Sequence, residues 1–131
     1  MPRIPLTVLV VEDNIELAAR VASALTQDGN VVIPADTPAL ALQLACSPIP
    51  DVVLVDLHSS PSSGNELARV LRSSIPWTTP IMMIARDPAR PSREDSPDAD
   101  LVLHGAIELE LLGGLMRFMY SRRRGARPVS R

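Results

Sequence analysis

Three acidic residues draw attention by where they fall. Asp56 closes the run Asp51-Val52-Val53-Leu54-Val55-Asp56, and Glu12-Asp13 follow Leu6-Thr7-Val8-Leu9-Val10-Val11. Each run is a short, β-branched apolar stretch, as expected of a strand buried on both faces, and each ends on carboxylates. The carboxyl ends of parallel strands are where open α/β sheets place their ligands. Two like charges about 4 Å apart repel by roughly 4 kcal/mol at an effective dielectric near 20. Three carboxylates in one cleft therefore call for a protonated member or a cation among them. Mg²⁺ suits such a site, because it prefers oxygen ligands, keeps several waters and takes one or two carboxylates. A carboxylate beside the ion can act as a nucleophile toward a phosphoryl donor and form an acyl phosphate. Plainer roles are open to the same residues: Asp56 as a cap of the Ser-, Pro- and Gly-rich loop from Leu57 to Gly64, Glu12 and Asp13 as acids in the first turn of a helix.

These acids meet only if the intervening elements bring the two strands together. After Asn14, a good N-cap, Ile15, Ala18, Ala19, Ala22 and Leu25 recur at helical spacing up to Gly29. Val31-Val32-Ile33 reads as a short strand, and Ala39 to Ala45 as a helix opened by Pro38 and closed before Pro48. Beyond the Asp56 loop, the pattern predicts a helix over Asn65–Ser73 and a fourth strand over Ile81–Ala85. Residues 87–97 carry three prolines, and an interior proline costs a helix roughly 3 kcal/mol, so an irregular segment is expected. Asp100-Leu101-Val102-Leu103 reads as a last strand and Ile107–Tyr120 as a final helix, weakened in its middle by Gly113-Gly114. Strands alternating with helices imply a parallel sheet with right-handed crossovers. At this length the expectation is an α/β, flavodoxin-like doubly wound sheet in the order 2-1-3-4-5. Strands 1 and 3 are neighbours in that order, so Glu12, Asp13 and Asp56 emerge at one edge.

The chain has 131 residues, enough for one domain with a real core. Its aromatics are Trp77, Phe118 and Tyr120 only, so that core must be aliphatic. Cys46 is alone and, inside a helical pattern, is expected to be a buried small apolar residue. No apolar run approaches membrane-spanning length and no signal-peptide segment opens the chain, which points to the cytoplasm and away from membranes. Residues 1–116 hold seven Arg against fifteen Asp and Glu, a net charge of −8, whereas six Arg and no acid follow from Arg117 onward. Residues 121–131 are therefore read as a basic flexible tail beside a domain spanning 6–120. The tail could meet nucleic acid through Arg122, Arg123, Arg124, Arg127 and Arg131, but the acidic body argues against a wide basic interface. The chain contains no lysine.

Val8-Leu9-Val10-Val11-Glu12-Asp13-Asn14, Asp51-Val52-Val53-Leu54-Val55-Asp56-Leu57 and Gly64-Asn65-Glu66-Leu67 together resemble the receiver domain of two-component response regulators. The resemblance runs from about residue 6 to 120. It implies that Asp56 is the phosphoacceptor, that Asp13 and Asp56 bind Mg²⁺, that Glu12 acts mainly through water, and that the backbone carbonyl of His58 completes the ligands. The His58 ring is expected to be a loop side chain rather than a ligand. Gly64 lies eight residues after Asp56, as in the family; the loop proline, at Pro61, is one position later than usual. The resemblance further implies a histidine kinase or phosphotransfer protein as partner, and no enzymatic activity beyond self-catalysed transfer onto Asp56.

Departures from the family pattern are equally specific. The hydroxyl at the end of the fourth strand falls on Ala85, leaving only its backbone for a phosphate. The Lys-Pro pair after the fifth strand falls on Gly105 and Ala106, and the aromatic switch residue on Val102. The proline-rich segment 87–97 replaces the fourth helix. Arg86 and His104 adjoin the two vacancies and are candidate phosphate donors. A hydrogen bond to a charged group contributes roughly 1.5–3 kcal/mol, while driving a two-state switch from 1:99 to 99:1 takes about 5.5 kcal/mol. Two missing contacts therefore remove much of the usual coupling. Two readings remain: a stand-alone receiver in a phosphorelay, signalling to a downstream protein by contact, or a pseudo-receiver that binds partners without phosphorylation. Self-association, if any, is expected through the final helix and the proline-rich segment.

Overall fold

The computed structural model describes residues 4–58, 61–85, 97–104 and 108–125. In chain order the elements are β1 (Thr7–Glu12), α1 (Ile15–Gln27), β2 (Val31–Ala35), α2 (Pro38–Ala45), β3 (Val52–Asp56), α3 (Pro61–Ser74), β4 (Ile81–Ala85), β5 (Leu101–His104) and α4 (Leu109–Gly125). The five strands form one parallel sheet in the order β2-β1-β3-β4-β5, the order expected from the alternation.

Alternate residues of each central strand feed two separate cores. Leu9, Val11, Val53, Val55, Ile81 and Met83 pack with Ala41 and Ala45 of α2 and Leu67, Ala68 and Leu71 of α3. Val8, Val10, Val52, Leu54, Met82 and Ile84 pack with Val21 and Leu25 of α1 and Leu112 and Met116 of α4. Each such aliphatic side chain contributes roughly 1.5–3 kcal/mol by leaving water, which is how a chain poor in aromatics holds a three-layer fold. β2 runs through Pro34 because it is an edge strand, where one face of hydrogen-bonding groups has no partner to lose.

Local signals set the helix starts. Asn14 accepts from Leu17 N at 3.0 Å and Thr37 from Leu40 N at 3.1 Å. Gly29 turns the chain out of α1 at φ 87°, a conformation side-chain-bearing residues rarely adopt.

Three expectations need correction. α3 begins at Pro61 rather than Asn65; a proline with φ preset for a helix is favoured at its first position. Gly64 is thus a helical residue, and a Cβ there would come within 3.0 Å of Met83 Cε, so its smallness lets α3 approach the sheet. Cys46 is exposed rather than buried, at the C-cap of α2, with its Sγ 3.4 Å from Leu42 O. α4 runs through Gly113-Gly114, as the expected final helix did, and Gly113 faces Asp28 at the end of α1, where a Cβ would meet the carboxylate.

Finally, α4 continues to Gly125, so the first part of the supposed flexible tail is helix. Arg122 stacks 5.6 Å from the Phe118 ring, Arg124 5.1 Å from Tyr120, and Arg123 5.1 Å from Trp77. Cations in a last turn also complement the helix dipole. Arg123 further pairs with Asp100, which accepts from Arg72 at 2.8 Å and from Ile81 N at 2.7 Å. Burial lowers the Arg72 guanidinium from its usual value, against the pull of Asp98, and burial beside Arg72 lowers Arg123. Arg86, residues 105–107, Arg127, Arg131 and all of the proline-rich segment except Pro97 lie outside the described residues.

Candidate functional site

β1 and β3 pair in a register that sets Glu12 opposite Asp56, the last residue of each strand. Both carboxylates therefore arrive at the same carboxyl edge of the sheet, and both are buried, Glu12 at 2% and Asp56 at 1% exposure. Glu12 Oε2 accepts from Asn14 N at 3.1 Å, tying the end of β1 to the cap of α1. Asp13 follows at the turn, and both of its oxygens accept from His58 N, at 2.9 and 3.1 Å. That contact spans the gap between the β1–α1 turn and the segment leaving β3. Glu12 and Asp56 thus share one end of the sheet, and Asp13 adjoins them through the backbone N–H of His58.

The His58 ring, expected to be a loop side chain, lies against this carboxylate pair. Its Nε2 lies 3.1 Å from Glu12 Oε2 and 3.2 Å from Asp56 Oδ1. The ring stands at the mouth of the cleft, 33% exposed, with both carboxylates beneath it. Ligand atoms of Glu12, Asp56 and His58 all lie within 4.8 Å of one another. Hard oxygen donors of net negative charge, buried and converging, fit a divalent cation by their chemistry.

On the opposite side of the cleft, Ala85 ends β4 and pairs in register with His104, the last residue of β5. His104 is exposed. Ala85 offers its backbone and a methyl group at the edge where the family hydroxyl is expected.

The chain matches the response regulator receiver domain model over residues 8–102. It belongs to that family. Within this receiver, an 83-residue stretch is 35% identical to the probable transcriptional regulatory protein TcrX of Mycobacterium tuberculosis, covering 63% of this chain and 36% of that protein. A stretch of 82 residues is 34% identical to the sensor histidine kinase TmoS of Ectopseudomonas mendocina, covering 62% of the receiver chain and 8% of the kinase. The receiver thus spans only a minor part of the length of these two relatives. In structure it superposes on a putative response regulator from Chloroflexus aurantiacus with a TM-score of 0.78, at 23% identity over 91% of this chain and 100% of that one. A CheY-like receiver domain from Methylobacillus flagellatus gives 0.75, at 21% identity over 88% and 99%. No helix among the described residues is long and apolar enough to cross a membrane.

Proposed function

We propose that this receiver accepts a phosphoryl group on Asp56 from a phosphohistidine donor, a histidine kinase or phosphotransfer protein, and signals by protein contact. Mg²⁺ is the cation that Asp13, Asp56 and the backbone carbonyl of His58 would hold, with Glu12 acting through water. One observation carries the reading: Asp56 ends β3 in register with Glu12, a buried carboxylate pair at the carboxyl edge of a receiver sheet. An Asp56 oxygen attacks phosphorus, forming the O–P bond as the donor P–N bond breaks. The electron pair leaves with the imidazole nitrogen, which takes a proton from solvent. When bound, Mg²⁺ supplies neutralising charge to the phosphoryl oxygens. Asp13 and Glu12 keep the cleft negative, and the Ala85 backbone, Arg86 and His104 are the groups at hand for the phosphate.

Intact mass tests this directly. Incubated with acetyl phosphate and Mg²⁺, the chain is expected to gain one phosphoryl group, and Asp56→Asn to gain none. A phosphorylation-independent binding module is favoured by one feature, the methyl group of Ala85 where a hydroxyl is expected, in a chain without lysine. No mass gain alongside intact Mg²⁺ binding would establish that second reading.

A further inference from the structure

We infer that α4 is the contact through which two copies of this chain pair, as an antiparallel helix dimer with two-fold symmetry. The inference goes beyond phosphoryl acceptance and does not depend on it.

One side of α4 is committed to the fold and another is left open. Leu112 and Met116 are fully buried in the core, and Gly113 faces Asp28 at the end of α1. Away from that contact, Leu111, Leu115, Phe118 and Arg122 follow at intervals of four, three and four residues. This is the spacing of one seam in a helix pair. Leu111 and Phe118 are 59% and 56% exposed. Beside them, Gly114 has nothing within 4 Å of where a Cβ would stand, so a second helix can come close. The Arg122 guanidinium lies over the Phe118 ring at 5.6 Å, which extends the apolar stripe with a flat cation. Single exposed leucines are ordinary, but an aromatic ring, a leucine and an arginine along one seam have the composition of an interface centre.

Charge selects a second copy as the occupant. Glu108 and Glu110 stand at the amino end of α4 and Arg122 and Arg124 in its last turn, all four exposed. Among the described residues, neither Glu108 nor Arg122 is ion-paired within its own chain. Antiparallel pairing about Leu115 sets Leu111 beside Phe118 of the second copy, and Glu108 beside Arg122 of the second copy. The two-fold axis repeats each contact, so a single stripe is complementary to itself. Parallel pairing would instead set acid against acid and arginine against arginine. The helix is about 25 Å long. Such a contact lies at the small end of specific interfaces, and a dissociation constant in the micromolar range is expected.

The test is sedimentation equilibrium of the full chain carrying Cys46→Ser, which removes the exposed thiol as a route to disulfide-linked dimers. Concentrations run from about 1 to about 300 µM. Phe118→Glu, Glu108→Arg and Arg122→Glu are compared in that background. All three sites are exposed, and circular dichroism confirms that each variant is folded. The parent is expected to show a monomer–dimer equilibrium and Phe118→Glu to stay monomeric. Each charge reversal should weaken dimerisation about tenfold, because two symmetry-related pairs turn repulsive. An equimolar mixture of Glu108→Arg and Arg122→Glu should recover the parental affinity as a heterodimer, since both of its cross-chain pairs are again opposite in sign. A parent that is monomeric throughout would overturn the inference. So would dimerisation that survives Phe118→Glu, or a mixture that associates no better than its components.

Discussion

Asp51 and Asp56 flank the same five-residue strand and play different parts. Asp51, at the amino end, accepts from Thr7 N at 2.8 Å and returns its own N–H to Thr7 O, closing the β1–β3 ladder. Asp56, at the carboxyl end, is set against a second buried acid instead. Two like charges about 4 Å apart repel by roughly 4 kcal/mol at an effective dielectric near 20, and the Glu12 and Asp56 ligand atoms lie within 4.8 Å of each other. The His58 ring offsets part of this. Asp56→Asn is therefore expected to raise stability in divalent-free buffer by about 1 kcal/mol, read as a higher denaturant midpoint. It should also abolish any stabilisation by Mg²⁺. The acids themselves were legible, because a carboxylate after a Val-rich run marks a strand end. The direction of the His58 ring was not, since a loop rich in Ser and Pro fixes no side-chain rotamer by its composition.

Among the elements, α4 shows how one residue can tie a helix to the sheet. Asp100 gathers Arg72 from α3, Arg123 from α4 and the first N–H of β4, with the three side chains 14–25% exposed. Asp100→Ala strips two partly buried guanidinium groups and one backbone donor of their acceptor. The expected loss is about 2–4 kcal/mol in urea unfolding, smaller than full burial would give because water reaches all three groups. The adjacent glycines of α4 make a sharper pair. Gly114→Ala meets open space and should gain up to about 1 kcal/mol from helix propensity. Gly113→Ala must displace the Asp28 carboxylate and should fall at least about 1 kcal/mol below it. Circular dichroism melts of the two variants make the comparison. The length of α4 was half legible: Phe118–Arg122 and Tyr120–Arg124 are four residues apart, a helical spacing. The pairing of Arg123 with Trp77 and Asp100 is a tertiary fact that no window of sequence contains.

At the scale of the whole molecule, the strand order was legible because the alternation of elements and the right-handed crossover leave few topologies. Element boundaries were less so: Pro61 and Gly64 look like loop residues, yet Pro61 opens α3, as its preset φ allows, and Gly64 lies where α3 passes close to Met83. All fifteen acids lie within residues 1–116, and among the described residues the buried acidic pair Glu12 and Asp56 sits at the sheet edge. A cation there should stabilise the whole fold, by about 2.7 kcal/mol at a hundred times its dissociation constant. Thermal unfolding across a Mg²⁺ titration, reversed by chelator, measures this. Coupling from that edge to the rest of the molecule should be weak, because Ala85 and a chain without lysine cannot supply two of the charge-assisted contacts that drive the family switch. The central claim is that Asp56 is the acceptor. It is tested most directly by exposing the chain to acetyl phosphate and Mg²⁺, reducing the acyl phosphate with borohydride, and mapping the reduced residue by tandem mass spectrometry. The expected outcome is reduction at position 56 alone, dependent on Mg²⁺. Reduction at any other acid, or at none, would contradict it.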